Sequence, residues 1–188
     1  MPHQNPPVPA EISLLPPAAA DDPVLVTGLT DLVNQVYAVA EEGLWADGTA
    51  RTSVAEIAAL VGAGEIAVAR LSGEIVGSVR VRRVPAADGD LGEFGMLVTA
   101  PAHRGAGTGR RLIDFAESHT RAQGLTTMQL ELLVPQTWTH PAKAMLHKWY
   151  TRLGYSPTGT HPLADSHPHL AGLLATPCDV HVYRKPLG

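Results

Sequence analysis

The chain has 188 residues, 45% of them apolar, which suffices for one domain with a buried core and no metal or disulfide staples. A formal net charge of −4 argues against a nucleic-acid binder that works by phosphate neutralisation. The single cysteine, Cys178, excludes an intramolecular disulfide and reads as a small buried residue. No apolar run approaches the ~20 residues that span a bilayer, so a cytoplasmic protein without membrane contact is expected.

Residues 1–10 are rich in proline and lack a basic n-region, so a flexible tail is expected there and a single domain over residues 11–188. Ile12 and Leu14 alternate as a short strand stopped by Pro16 and Pro17. In residues 22–45, Leu29, Leu32, Val33, Val36, Tyr37 and Ala40 recur at helical spacing, and Ser53 with Glu56 reads as a capping box opening a second helix over residues 53–61. Between them, Glu41, Glu42 and Arg51 read as solvated charges. Two β-branched strands, residues 66–71 and 75–84, flank Ser72-Gly73 as a hairpin, and Asp88-Gly89 turns the chain into another strand.

In that strand Phe94, Met96 and Val98 alternate with Glu93, Gly95, Leu97 and Thr99, apolar residues predominating on both faces, until Pro101 ends it. Arg104, Gly105, Ala106, Gly107, Thr108 and Gly109 follow, and then Leu112, Ile113 and Ala116 at helical spacing. Glycines at a helix start let an anion approach amides that lack intrahelical partners, where the macrodipole leaves about half a positive charge. Arg104, Arg110 and Arg111 add charge nearby. A P-loop is excluded because Arg110 and Arg111, not Lys-Ser or Lys-Thr, follow the last glycine. A dinucleotide fingerprint is excluded because the glycines are spaced G-x-G-x-G and stand away from the strand end.

Gly124 is expected to close this helix, and residues 127–134 form a strand parallel to the previous one through a right-handed crossover. In residues 141–155, Met145, Leu146, Trp149, Tyr150 and Leu153 mark a further helix ending at Gly154. Beyond it, His161, Asp165, His167 and His169 fall in a Pro-rich surface loop without a recognised metal-ligand spacing, leading into a short apolar helix around residues 170–174. Val180, Val182 and Arg184 alternate as a closing strand.

The pattern Gln/Arg-x-x-Gly-x-Gly/Ala at Arg104, Gly107 and Gly109, preceded by Leu97, Val98 and Pro101, resembles the GNAT N-acetyltransferase superfamily. A second motif of that family is similar at Tyr150, Leu153, Gly154 and Tyr155, with Lys143 in place of a frequent asparagine and Leu146 in place of alanine. The resemblance implies an α+β fold (α/β by some schemes), a mixed, mostly antiparallel sheet flanked by helices. It implies acetyl-CoA as co-substrate without a metal, with Met96, Leu97 and Val98 along the pantetheine arm, residues 104–109 cradling the diphosphate, and Lys143 beside the cofactor. The first two helices and residues 41–51 would select the acceptor.

Transfer to an amine needs a base, because an amine of pKa near 10 is mostly protonated at neutral pH. Glu93 is the candidate, with Glu131 on the next strand competing and a strand-end charge the bland alternative. Tyr150 is the candidate donor to the departing thiolate: periodicity alone favours an aromatic core residue, and the resemblance, through its spacing from Gly154, implies the functional role. The expected function is an N-acetyltransferase acting on a small-molecule amine or amino acid. A protein lysine or N-terminal acetyltransferase and a non-catalytic acyl-CoA-binding module are the alternatives, and a homodimer stays open.

Overall fold

The computed structural model describes residues 9–188, so the tail expected over residues 1–10 lies, apart from Pro9 and Ala10, outside the described residues. Among the described residues seven strands form one sheet in the order β1-β2-β3-β4-β5-β7-β6. The elements run β1 (Glu11–Leu14), α1 (Pro23–Ala40), α2 (Val54–Gly62), β2 (Ile66–Leu71), β3 (Glu74–Val84), β4 (Leu91–Thr99), α3 (Thr108–Ala122), β5 (Thr127–Pro135), α4 (Pro141–Arg152), β6 (Ser156–Pro162) and β7 (Cys178–Pro186), with short helical turns at Leu163–Ser166 and Pro168–Ala171. This is the expected mixed sheet: β4 and β5 pair in parallel, and the other neighbouring strands pair antiparallel. Among the described residues no helix is long and apolar enough to cross a membrane.

Local chemistry places these elements. Asp22 caps α1 by accepting from the amides of Val24 and Leu25. Ser53 caps α2 through the amide of Glu56, but the Glu56 carboxylate accepts from the Thr52 hydroxyl at 2.8 Å, so the reciprocal half of the capping box is not formed. The β2–β3 hairpin turns on Ser72 and Gly73, both at positive φ (52° and 88°), the geometry whose twist suits a two-residue hairpin. Helix α3 then lies close upon β4, since a Cβ on Gly92 would sit 2.4 Å from Thr120 Cγ2.

One face of the sheet packs against α3 and α4, with Phe94, Leu112, Ile113, Met128 and Leu130 buried together; the other packs against α1 and α2, with Val33, Ile57, Val68, Met96 and Val98. Phe94 and Met96 therefore face opposite sides, contrary to simple alternation. The cause is a β-bulge: between the Gly95↔Arg80 and Val98↔Ser78 pairs, Met96 and Leu97 oppose Val79 alone, and Met96 adopts φ 47°. A further strand absent from the sequence expectation is β6, in the stretch read as a loop. It carries Pro157, Pro162 and almost no apolar side chains, which an edge strand tolerates because one side of its ladder faces away from the sheet.

Candidate functional site

The β4–β5 ladder holds only at Gly92↔Met128 and Glu93↔Gln129. Beyond those pairs the strands part, leaving the β5-facing edge of β4 without a sheet partner, and a cavity of ≈ 1170 Å³ opens through the gap. Its walls come from both faces of the sheet: Tyr37 and Glu41 from α1 and its end on one side, Leu146, Trp149 and Tyr150 of α4 on the other. Of the expected residues, Glu93, Met96, Leu97, Arg104, Gly105, Gly107, Thr108, Gly109, Lys143 and Tyr150 line it. Val98 is buried in the α1/α2 core, which leaves it only its backbone to offer, and Ala106 is exposed outside the lining.

At one end lies the α3 N-terminus. Gly105 and Gly107 hold φ of 81° and 80° with open space where a Cβ would stand. Gly107 is itself the N-cap, so no side chain caps the helix, and the first backbone donation to close it is Arg111 N–H to Gly107 O at 3.1 Å. The amides of Thr108, Gly109 and Arg110 precede that bond and remain available to an anion. The arginines divide. Arg111 turns away to donate to the Ala10 carbonyl, Arg110 pairs with Asp114 at 2.8 Å, and Arg104 makes no ion pair among the described residues. This end fits a diphosphate.

At the parting of the strands, Glu93 and Glu131 stand on the same face, with Gln129 between them on β5. Arg82 grips Glu93 Oε1 through Nε and Nη2 at 2.9 and 2.6 Å, and Gln129 donates to Oε2 at 3.0 Å. Glu131 accepts no hydrogen bond among the described residues; its nearest basic group is His167 Nδ1 at 3.9 Å. Burial first, and then the charge of Glu93, raise the Glu131 pKa above the ordinary carboxylate value. A half-buried, unengaged carboxyl with raised pKa is better placed to exchange protons than one locked by arginine.

Tyr150 belongs to an aromatic cluster, its ring centroid 6.0 Å from Phe94, 6.2 Å from Tyr155 and 6.5 Å from Tyr183. Tyr155 donates to Glu117 at 2.8 Å and Tyr183 meets His147 Nδ1 at 2.7 Å. The Tyr150 hydroxyl has no such partner among the described residues, and it is Tyr150 that lines the cavity. Burial pushes its phenol well above the ordinary value, so it stays protonated at neutral pH.

Of the charges read as solvated, Glu42 is exposed, but Glu41 and Arg51 behave otherwise. Glu41 is 5% exposed, accepting from Lys143 Nζ and Trp45 Nε1, each at 2.6 Å. Arg51 lies over the rings of Tyr37 and Trp45, 5.2 and 5.8 Å from their centroids. The available signal was position: Glu41 falls four residues after Tyr37, just past the end of α1 and in line with its apolar stripe. Ala46 N–H to Leu173 O and Ala175 N–H to Leu44 O zip this connection to the stretch before β7. His167 and His169 also line the cavity, whereas His161 and His167 both meet the Ser166 hydroxyl, at 3.0 and 2.9 Å. Among the described residues no group of three or more metal-ligating side chains assembles. Cys178 is buried, its thiol pushed up to about 11 chiefly by burial, which leaves no nucleophile there.

Comparison with known proteins bears on this geometry. Residues 62–157 match the sequence model of the acetyltransferase (GNAT) domain, while no curated protein sequence matches the chain. Among solved structures, yncA from Salmonella typhimurium with its cofactor acetyl-CoA superposes with a TM-score of 0.65 at 18% identity, over 96% of this chain and 95% of that one. An aminoglycoside 6'-N-acetyltransferase complexed with coenzyme A gives 0.66 at 20% identity, over 95% and 97%. The ribosomal-protein-alanine N-acetyltransferase from Brucella melitensis gives 0.64 at 16%, over 94% and 99%. Structures named for small-molecule and for protein acceptors are thus equally similar, so the fold does not choose the acceptor.

Proposed function

Because the chain belongs to the GNAT acetyltransferase family, we propose that it transfers the acetyl group of acetyl-CoA to the primary amine of a small molecule or amino acid by direct attack. The observation that carries this reading is the continuity of one cavity from the uncapped α3 N-terminus, past the open edge of β4, to the paired carboxylates and Tyr150.

The diphosphate would rest on the amides of residues 105–110 with Arg104 beside it, and the pantetheine arm would extend the sheet along β4 at Met96, Leu97 and Val98. Lys143 borders the path with its ammonium held by Glu41, contributing wall rather than free charge. The acceptor nitrogen attacks the thioester carbonyl carbon, a C–N bond forms as the C–S bond breaks, and the nitrogen gives up a proton. Glu131 is the better base, directly or through one water, since Glu93 is occupied by Arg82 and Gln129 and acts mainly by raising Glu131. Tyr150 donates to the departing sulfur. With its pKa raised by burial it would support the thiolate by hydrogen bonding first and pass its proton late, giving coenzyme A thiol, after which the tyrosinate recovers a proton from water.

Thermal unfolding with and without acetyl-CoA tests the donor half of this reading. At 100 times Kd the ligand should add about 2.7 kcal/mol, or roughly 5–10 °C for a chain of this size. No shift at saturation would refute the cofactor assignment. Tyr150→Phe should keep the shift and lose turnover in an amine screen; a binding module would show the shift with no turnover to lose.

A further inference from the structure

Beyond the phosphate end the cavity is lined by the cationic side chains of Arg51, Arg80, Arg82 and Lys143 and by the imidazoles of His167 and His169. Most are already engaged. Arg80 donates to Glu65 at 2.7 Å, Arg82 to Glu93, Lys143 to Glu41, and His167 stands by Glu131. Arg51 differs. Its Nε is buried without a hydrogen bond, 3.7 Å from a Glu41 oxygen that Trp45 already occupies, and its terminal nitrogens donate to no group among the described residues. The rings of Tyr37 and Trp45 hold the guanidinium, so its fork is preorganised before anything binds. Arg51 lines the same cavity as Glu131 and as His167, whose Nδ1 stands 3.9 Å from Glu131.

An unfilled planar fork asks for a planar anion. Resting on the acetyltransferase reading above, we propose that Arg51 anchors a carboxylate on the acceptor, so that the substrate is an amine bearing its own carboxylate, the chemistry of an amino acid. The two ends of such a molecule meet opposite charges: the carboxylate at Arg51, and the amine toward Glu131 and the open edge of β4. Glu41 does not compete for the fork, because Lys143 and Trp45 hold both its oxygens. A simple amine would leave Arg51 desolvated and unpaired, which works against binding.

The test follows release of coenzyme A thiol from acetyl-CoA across the proteinogenic L-amino acids and their matching α-amides. The acids that turn over should do so with KM about 10- to 100-fold below their amides. Arg51→Ala should collapse that ratio by raising KM for the acid far more than it lowers kcat, while retaining the acetyl-CoA thermal shift. Arg51→Gln, which keeps the stem over Tyr37 and Trp45, should do the same if the alanine variant folds poorly, and Arg51→Lys should restore part of the preference. Amides turning over as well as acids, no turnover of any acid despite a clear acetyl-CoA shift, or a variant that lowers kcat alike for acid and amide would overturn the carboxylate anchor. Absence of the acetyl-CoA shift would instead bring down the underlying reading.

Discussion

Two carboxylates face one gap, and their surroundings separate them. Glu131, raised by burial and by the charge of Glu93, is a base only above its raised pKa, so kcat/KM should climb with pH through a limb above the ordinary ~4.3 of a glutamate. Glu131→Gln should remove that limb and cost about 10²- to 10⁴-fold in kcat/KM with acetyl-CoA stabilisation retained. Glu93→Gln deletes a like charge and releases the Arg82 guanidinium, whose charge already lowers the Glu131 pKa, so both effects move the limb to lower pH. A limb that stays in place in Glu93→Gln, measured with the same acceptor, would clear Glu131 of the role. The stability sign is separate: folding favours protonated Glu131, a contribution present below the ordinary carboxylate pKa and lost as pH rises through the raised one.

Elements differ in how plainly they could be read. The α3 N-terminus was legible because its requirement is local: glycines at left-handed φ, no capping side chain, and a helix amphipathic enough to bury Leu112, Ile113 and Ala116. That locality makes it testable against a matched position. Gly107→Val and Gly124→Val each put a β-branched residue at φ near 80° in open space, at the two ends of one helix, and each should cost on the order of 1–3 kcal/mol of stability. Only Gly107→Val should shrink the acetyl-CoA thermal shift; equal shrinkage in both would mean that α3 matters as a whole and not for its bare amides. The Met96 bulge was not legible, because it shows only as a mismatch between the β3 and β4 registers, and two strands fix it together. Nor was β6, whose composition reads as loop and whose pairing depends on the edge that β7 offers.

At the scale of the whole molecule, the cavity opens where β4 and β5 part, and its walls on opposite faces of the sheet are tied across that gap by Glu41 and Lys143. The residues of that tie, Glu41 and Lys143, lie 102 apart in sequence, and the hydrogen-bond partner near Glu41 in sequence is the neutral Trp45. This is why Glu41 read as solvated and why the acceptor wall was only expected as a region. The pair is nearly dry, with side chains 4% and 5% exposed, so its behaviour on mutation should be asymmetric. Lys143→Met leaves Glu41 buried with Trp45 and with Arg51 3.7 Å away, and should destabilise in urea unfolding by less than the about 3–5 kcal/mol of a wholly uncompensated buried charge, whereas Glu41→Gln/Lys143→Met together should recover most of the loss. The single variant should also draw Arg51 onto Glu41, closing the gap of 3.7 Å and occupying the fork. Any preference for acidic acceptors over their amides should then fall in Lys143→Met and return in the double variant. Equal stability of the single and double variants would mean that the tie is wetter than its burial indicates, with Glu41 solvated once Lys143 is gone and the two faces of the cleft held by the sheet alone.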